Sequence, residues 1–374
     1  MSLPGQARSA AQDRDVSRVL VYRLGSLGDT LVALPSLHLI ARRFPNAERR
    51  LLTNFPVSSK APAAAVVLGE SGLIHDYERY AVGTRNPLKL LWLAWRIRRF
   101  HPEVLVYMMA ARGAAVAQRD AKFFRIACGV KRLVGVSITE DMQQCRVEAD
   151  GLLEPEASRL ARNLAELGDA ALEDPASWSL RLTAAEFAAA KAAMEPLGSR
   201  AVIAVSVGTK VQSKDWGREN WRALLHRVAE LYPGCGLLLS GASEEKGASE
   251  FAAEGWRQVA GAGPVVNLCG SLTPRESAAA YARSSIFIGQ DSGPMHLAAA
   301  VGTPCVAIFA ARNIPRVWFP YGKQHHVVYH AVDCQGCGLE VCVEQRKKCL
   351  LSITVDEVLR PVQRVLTGLP VEGQ

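Results

Sequence analysis

Residues 285–309 leave few folds open. They read Ser-Ser-Ile-Phe-Ile-Gly-Gln-Asp-Ser-Gly-Pro-Met-His-Leu-Ala-Ala-Ala-Val-Gly-Thr-Pro-Cys-Val-Ala-Ile-Phe, one strand–helix–strand unit. The apolar run 285–288 suits a strand buried on both faces of a parallel sheet. Residues 289–293 form the turn. Pro294 fits the start of a helix, where its missing N–H loses no bond. Gly302 ends the helix, and 305–309 is the next buried strand. Asp291, Ser292 and His296 gather where strand gives way to helix. In open parallel sheets that is where ligands bind. Free amides at a helix start favour an anionic or hydroxyl-rich ligand. A capped helix, with Asp291 or Ser292 as N-cap, is the plainer reading, and three polar side chains on one turn favour the ligand.

The same alternation fills the chain. Residues 18–23 form a strand, and 24–30, Leu-Gly-Ser-Leu-Gly-Asp-Thr, a turn in which Gly25 and Gly28 let the backbone approach a ligand. Residues 31–43 read as a helix containing Pro35. The turn lacks the G-x-G-x-x-G fingerprint, and no acidic residue ends the next strand near 51–54, which counts against a nicotinamide enzyme. Asp29 serves equally as a helix cap or as a carboxylate presented to a ligand. A helix at 87–100 carries Lys89, Trp92, Trp95 and Arg96. It suits a membrane surface, but a sheet-covering helix with a cationic C-terminal end is the favoured reading. Arg112 follows a strand at 103–109 and is a candidate for holding an anionic acceptor.

Residues 169–182 look like an interdomain linker. A second alternation follows, opening with a helix that Thr183 and Glu186 cap as a box. A strand at 200–206 leads into a loop, 207–216, with two lysines. Two successive runs of strand and helix imply two doubly wound α/β domains facing one cleft.

Composition narrows the partners. A chain of 374 residues, 49% hydrophobic and 21% charged, is a globular protein long enough for two domains. Its net charge of +8 points to an acidic partner. The basic residues are scattered and no groove-reading motif appears, so nucleic acid is not expected. The sequence holds no uncharged apolar run of about 20 residues and no signal-peptide core, so a cytoplasmic location is expected. The nine cysteines would then be mostly reduced. Cys334, Cys337, Cys342 and Cys349 fall within sixteen residues. The first pair has metal-ligand spacing, and four thiolates could close a structural zinc or iron site. Small buried side chains, or incidental pairs in a loop, are the other reading of the same residues, and the one preferred.

Gly28-Asp29 with Pro35, Lys214-Asp215-Trp216 before a helix, residues 291–300 with Gly302-Thr303-Pro304, and a cysteine-rich tail together resemble glycosyltransferase family 9, the heptosyltransferase-like enzymes. The likeness spans roughly residues 17 to 367. It implies a GT-B fold: two Rossmann-like domains facing a central cleft, acceptor in the first and donor nucleotide in the second. It also implies an inverting transfer with no required cofactor. The plan that follows is a disordered tail at 1–16, an acceptor-binding domain at 17–172, a nucleotide-sugar-binding domain at 183–350, and a helix and tail at 351–374.

By the same resemblance Asp29 is the catalytic base; Gly28 and Arg112, read from their places after strands, are the candidates on the acceptor side. Thr209 and Lys214 belong to the donor loop, Lys214 on the phosphate. Asp291, Ser292, Gly293 and His296 hold donor sugar and diphosphate, and Leu272 contacts adenine. An acidic residue after Gly241-Ala242 binds ribose in the family; here Glu244 is the candidate, one place beyond the usual position. The expected reaction moves heptose from ADP-heptose to a lipopolysaccharide or related glycolipid or oligosaccharide acceptor, with peripheral contact at the inner membrane. Another nucleotide sugar, or a non-catalytic nucleotide- or glycan-binding protein of the same fold, are the alternatives.

Overall fold

The computed structural model describes residues 13–55, 64–80, 83–84 and 86–367. The chain divides into two compact units, Met1–Ser179 and Leu180–Gln374, and the division falls inside the 169–182 segment.

Among the described residues the first unit holds a five-stranded parallel sheet: β1 (Arg18–Tyr22), β2 (Glu48–Asn54), β3 (Asp76–Tyr80), β4 (Val104–Tyr107) and β5 (Arg132–Val134). Their order is β3-β2-β1-β4-β5. Val19, Leu20 and Val21 are fully buried, as an apolar run covered on both faces must be. The chain winds from β1 through β2 to β3, then crosses back to lay β4 on the other side of β1. The loops after β1 and β4 therefore splay apart, leaving a crevice at the carboxyl ends of the two strands.

The second unit repeats the device with six parallel strands among the described residues. They are β6 (Val202–Ser206), β7 (Gly236–Leu239), β8 (Val265–Asn267), β9 (Ile286–Gln290), β10 (Cys305–Phe309) and β11 (His326–Tyr329). In the order β11-β10-β9-β6-β7-β8 the reversal lies between β6 and β9. Trp216, Trp221 and Trp256 are buried in its core, each worth on the order of 2–3 kcal/mol of apolar burial.

Four expectations need correction. The tail does not extend to residue 16. Residues 1–12 lie outside the described residues, but Asp13 is wholly buried and paired to Arg43 at 2.6 Å and to Arg132 at 2.5 Å. Pro35 is not inside a helix that starts at residue 31. One short helix ends at Leu31 and a second, Leu34–Arg43, opens with Pro35 in its first turn, where no N–H is needed. The strand expected at 285–288 runs on through Gln290, whose side chain is buried. The C-terminal helix, Val355–Leu366, is no separate segment: Val358, Leu359, Val362 and Leu366 complete the core of the second unit. Of the expected tail beyond it, 368–374 lie outside the described residues.

Candidate functional site

Both crevices carry polar side chains that the sheets place there. In the first, Arg23 follows β1 directly. Its Nη1 donates to the Met108 carbonyl beyond β4 at 2.7 Å, and its Nε and Nη2 donate to the Asp29 carbonyl at 3.2 and 3.0 Å. This buried guanidinium is also 3.5 Å from Glu156, which is held bidentately by the fully buried Arg159. Arg159 reaches back to the Met109 carbonyl at 2.9 Å. A charge so buried is stable only when its donors are used, so these arginines fix the loops that carry Asp29.

Asp29 sits in the third position of the Leu27–Leu31 helix. Its Oδ2 accepts from the backbone N–H and the hydroxyl of Ser26 at 2.7 and 2.8 Å, half of a capping box. Its Oδ1 lies 3.6 Å from Arg23 Nη2. The side chain stays about a fifth exposed (22%), with Oδ2 anchored to Ser26. Gly25 is required here, because a Cβ would lie 2.3 Å from Asp29 Cβ. Gly28 is buried in the same turn. Arg112 has its backbone N–H pinned by the buried Gln143 at 3.0 Å while its side chain is exposed.

In the second crevice Lys214 Nζ lies 2.7 Å from Asp291 Oδ2 and 3.3 Å from the Asp291 carbonyl. Asn313 donates to the same Oδ2 at 3.2 Å. The loop carrying Lys214 is held by Gln290: its Oε1 accepts from Trp216 N–H at 2.7 Å and its Nε2 donates to the Val207 carbonyl at 2.6 Å. The cysteine-rich segment braces the other side. Ser213 N–H donates to the Glu340 carbonyl at 3.0 Å, Cys342 N–H to Gln212 Oε1 at 2.9 Å, and Lys347 Nζ to the Asp215 carbonyl at 2.7 Å. Thr209, half-buried, turns its hydroxyl onto the Val211 backbone N–H at 3.3 Å.

Ser292 holds the N-cap position of the Gly293–Ala300 helix but makes no capping hydrogen bond, and its buried hydroxyl has no partner. A cap hydroxyl that does not cap leaves its donor unspent, beside first-turn amides that a helix cannot satisfy. Gly293 opens that helix and His296 is buried one turn in. Leu272 is half-buried just before the Pro274–Tyr281 helix.

At β7 the arrangement differs from the sequence expectation. Glu244 is exposed and accepts from the Ser243 hydroxyl at 3.1 Å. Glu245 is the carboxylate turned to the strand ends. Its Oε2 accepts from Ala242 N–H at 2.8 Å, and it packs so closely on Gly208 and Gly241 that a Cβ at either would collide. No local signal separates Glu244 from Glu245, because Ala242 has no side-chain oxygen with which to make a capping box. Gln290 and Asn313 had none, since their roles depend on contacts far along the chain.

Of the four clustered cysteines, Cys334, Cys342 and Cys349 are half-buried and Cys337 is exposed, so the preferred reading as small buried side chains does not hold. Among the described residues no three His, Cys, Asp or Glu groups come together to hold an ion. The segment is tied down through backbone instead, with Gly336 N–H on the Ala311 carbonyl and Gly338 N–H on the Arg312 carbonyl at 2.8 and 2.9 Å. Burial, together with the neighbouring thiols of Cys334, Cys342 and Cys337, raises the Cys349 thiol above its ordinary value.

The model of glycosyltransferase family 9 (heptosyltransferase) matches residues 111–348. A lipooligosaccharide heptosyltransferase 2 of Campylobacter jejuni is 28% identical over 102 residues, 27% of this chain and 32% of that one. The chain thus matches only about a third of that relative's length. Among solved structures, a family 9 glycosyl transferase of Veillonella parvula superposes with a TM-score of 0.70 at 16% identity, covering 94% of this chain and 97% of that one. The Escherichia coli heptosyltransferase WaaC with ADP-2-deoxy-2-fluoro heptose gives a TM-score of 0.59 at 16% identity, covering 93% and 99%. At such identity these likenesses establish the fold: two sheets of the GT-B kind.

Proposed function

The chain belongs to glycosyltransferase family 9, the heptosyltransferase family, and from that premise we propose that it is an inverting glycosyltransferase. It moves a sugar, in the first instance heptose from ADP-heptose, to a lipopolysaccharide or related cell-surface glycan. The observation that carries the reading is the second crevice. There the Lys214 ammonium, the unpartnered Ser292 hydroxyl and the first-turn amides of the Gly293–Ala300 helix lie at one switch point. That set fits a diphosphate.

In the proposed reaction an acceptor hydroxyl attacks the anomeric carbon from the face opposite the diphosphate. The new C–O bond forms as the bond from that carbon to the phosphate oxygen breaks. The hydroxyl proton passes to Asp29, and the electron pair leaves with the diphosphate. Lys214, Ser292 and the helix amides stabilise that growing charge without reorganising, which is where most of the rate gain arises. Glu245, at the end of β7, is the carboxylate proposed for the ribose hydroxyls in place of Glu244. Arg112 and Gly28 are proposed on the acceptor side. Among the described residues no helix is long and apolar enough to cross a membrane; action on the cytoplasmic face of the inner membrane belongs to the proposal.

The test is a melting-temperature screen against nucleotides and nucleotide sugars, followed by ADP release with candidate acceptors. ADP and ADP-heptose should raise the melting temperature, since a ligand of the folded state stabilises it by mass action. Release of ADP should fall away in Asp29→Asn. A shift with UDP or GDP sugars alone would move the donor to another nucleotide sugar. Binding without turnover on any acceptor would leave a nucleotide-binding protein.

A further inference from the structure

The helix Pro87–Phe100 has two apolar faces, and the sheet covers one. Leu93, Ala94, Ile97 and Phe100 are buried in the core of the first unit. Leu88, Leu91, Trp92 and Trp95 point away from it, with Trp92 57% and Trp95 54% exposed. The spacing 88, 92, 95, 99 places them on one stripe that ends in Arg99. A sheet-covering helix needs only its inner face, so that role leaves two exposed tryptophans unexplained.

The charges carried by the helix itself are all of one sign. The helix holds Lys89, Arg96, Arg98 and Arg99 and no acidic residue. Arg96 stacks on Trp92 at 4.4 Å, with its guanidinium tied to Glu78, and Arg99 lies over Trp95 at 5.6 Å. Arg98 donates to the carbonyls of Ala127 and Ile126 at 2.7 and 3.0 Å, which brings Ile126, 74% exposed, to the patch edge.

We infer that this helix face is a docking surface for an anionic phospholipid bilayer. Tryptophan and leucine enter the headgroup–acyl boundary while guanidinium groups on the same face meet phosphate. Among the described residues no carboxylate pairs with Lys89, Arg98 or Arg99, so their charge is available to the lipid. A second copy fits less well. Two-fold pairing of one helix face sets its Lys89 end against the partner's Arg96–Arg99 end, like charge on like. The inference does not depend on the transferase reading, because lipid binding is read without activity.

The test is co-sedimentation of the full chain with vesicles of mixed phosphatidylglycerol and phosphatidylcholine, and with phosphatidylcholine alone. At about 0.1 M salt the chain should pellet with the anionic vesicles and release at high salt, as screening shortens the reach of the arginines. Trp92→Ser with Trp95→Ser, and separately Lys89→Glu with Arg99→Glu, should each lower binding by about fivefold or more. Both pairs lie on the exposed face, so their circular-dichroism melts should match the parent and show that folding is intact. Undiminished binding by both variants, or equal binding to neutral vesicles, overturns the inference. So does a parent chain that ignores vesicles but forms a dimer which the tryptophan variant breaks; the face would then pair copies of this chain.

Discussion

Lys214 Nζ meets Asp291 Oδ2 at 2.7 Å, joining the loop after β6 to the turn after β9. Asn313 holds the same oxygen from the far side. Asp291 is buried, so its carboxylate fixes the ammonium in place, and a third ammonium proton remains for a ligand.

Lys214→Ala should therefore weaken ADP binding by about 1.5–3 kcal/mol, the range for a hydrogen bond to a charged group. Titration calorimetry reads this directly. Unchanged affinity would remove Lys214 from the phosphate site and leave it as the counter-ion of Asp291.

Gln290 gives a prediction about the same loop. Its amide is the buried partner of both Trp216 N–H and the Val207 carbonyl. Gln290→Leu keeps the bulk and strands both groups, each costing about 1–3 kcal/mol. The unfolding midpoint in urea should fall, and ADP affinity with it, because the Lys214 loop loses its anchor. A variant as stable as the parent would mean that the loop finds other partners.

Why some of this was readable beforehand and some not follows from the range of each contact. The 285–309 unit announced itself because strand, turn and helix signals are local: apolar runs, Pro294 and Gly302. The same holds for the capping box of Thr183 and Glu186, which the structure contains. Pro35 was misplaced because a helix of five residues leaves almost no periodic signal. Asp13 looked like tail because its partners Arg43 and Arg132 are distant in sequence. Glu244 and Glu245 differ only in which way one turn of chain faces, and the packing of Gly208 against Glu245 decides that. Cysteine spacing is a local signal, whereas the backbone bonds that tie that segment to 311 and 312 are not.

Stability of the second unit should depend on pH above the carboxylate range. Burial pushes His325 down from 6.5 to about 4, against a hydrogen bond to the Tyr321 backbone that pulls the other way. Its Nδ1 accepts from Cys305 N–H at 3.2 Å, so the proton it would gain has no place there. The unfolded chain takes up that proton near 6.5 and the folded chain only near 4. Stability is thus full above about pH 7 and declines as pH falls through that window. Between pH 7 and 5 the loss should be roughly 2 kcal/mol. Urea melts of the parent and of His325→Gln across this range check it. An equal slope in both would place the proton uptake elsewhere.

The last prediction separates two roles of Asp29. Its Oδ2 closes the capping box with Ser26, a structural task, while its Oδ1 lies 3.6 Å from Arg23 Nη2 in a side chain that is partly exposed. A carboxylate is too weak a base to strip a sugar hydroxyl in advance, so it takes the proton as the new C–O bond forms. Help of that kind is worth about 10²–10⁴ in rate. Asp29→Asn keeps an oxygen for Ser26 and loses the proton acceptor. Turnover should drop by that factor while ADP affinity and melting temperature stay near those of the parent. Asp29→Ala removes the cap as well, and should add a loss of stability of about 1 kcal/mol. Arg23 keeps its bonds to Met108, Glu156 and the Asp29 backbone in both variants, so neither strands a buried charge. Should Asp29→Asn turn over like the parent while only Asp29→Ala suffers, through its lower melting temperature, Asp29 is a capping residue and the base lies elsewhere.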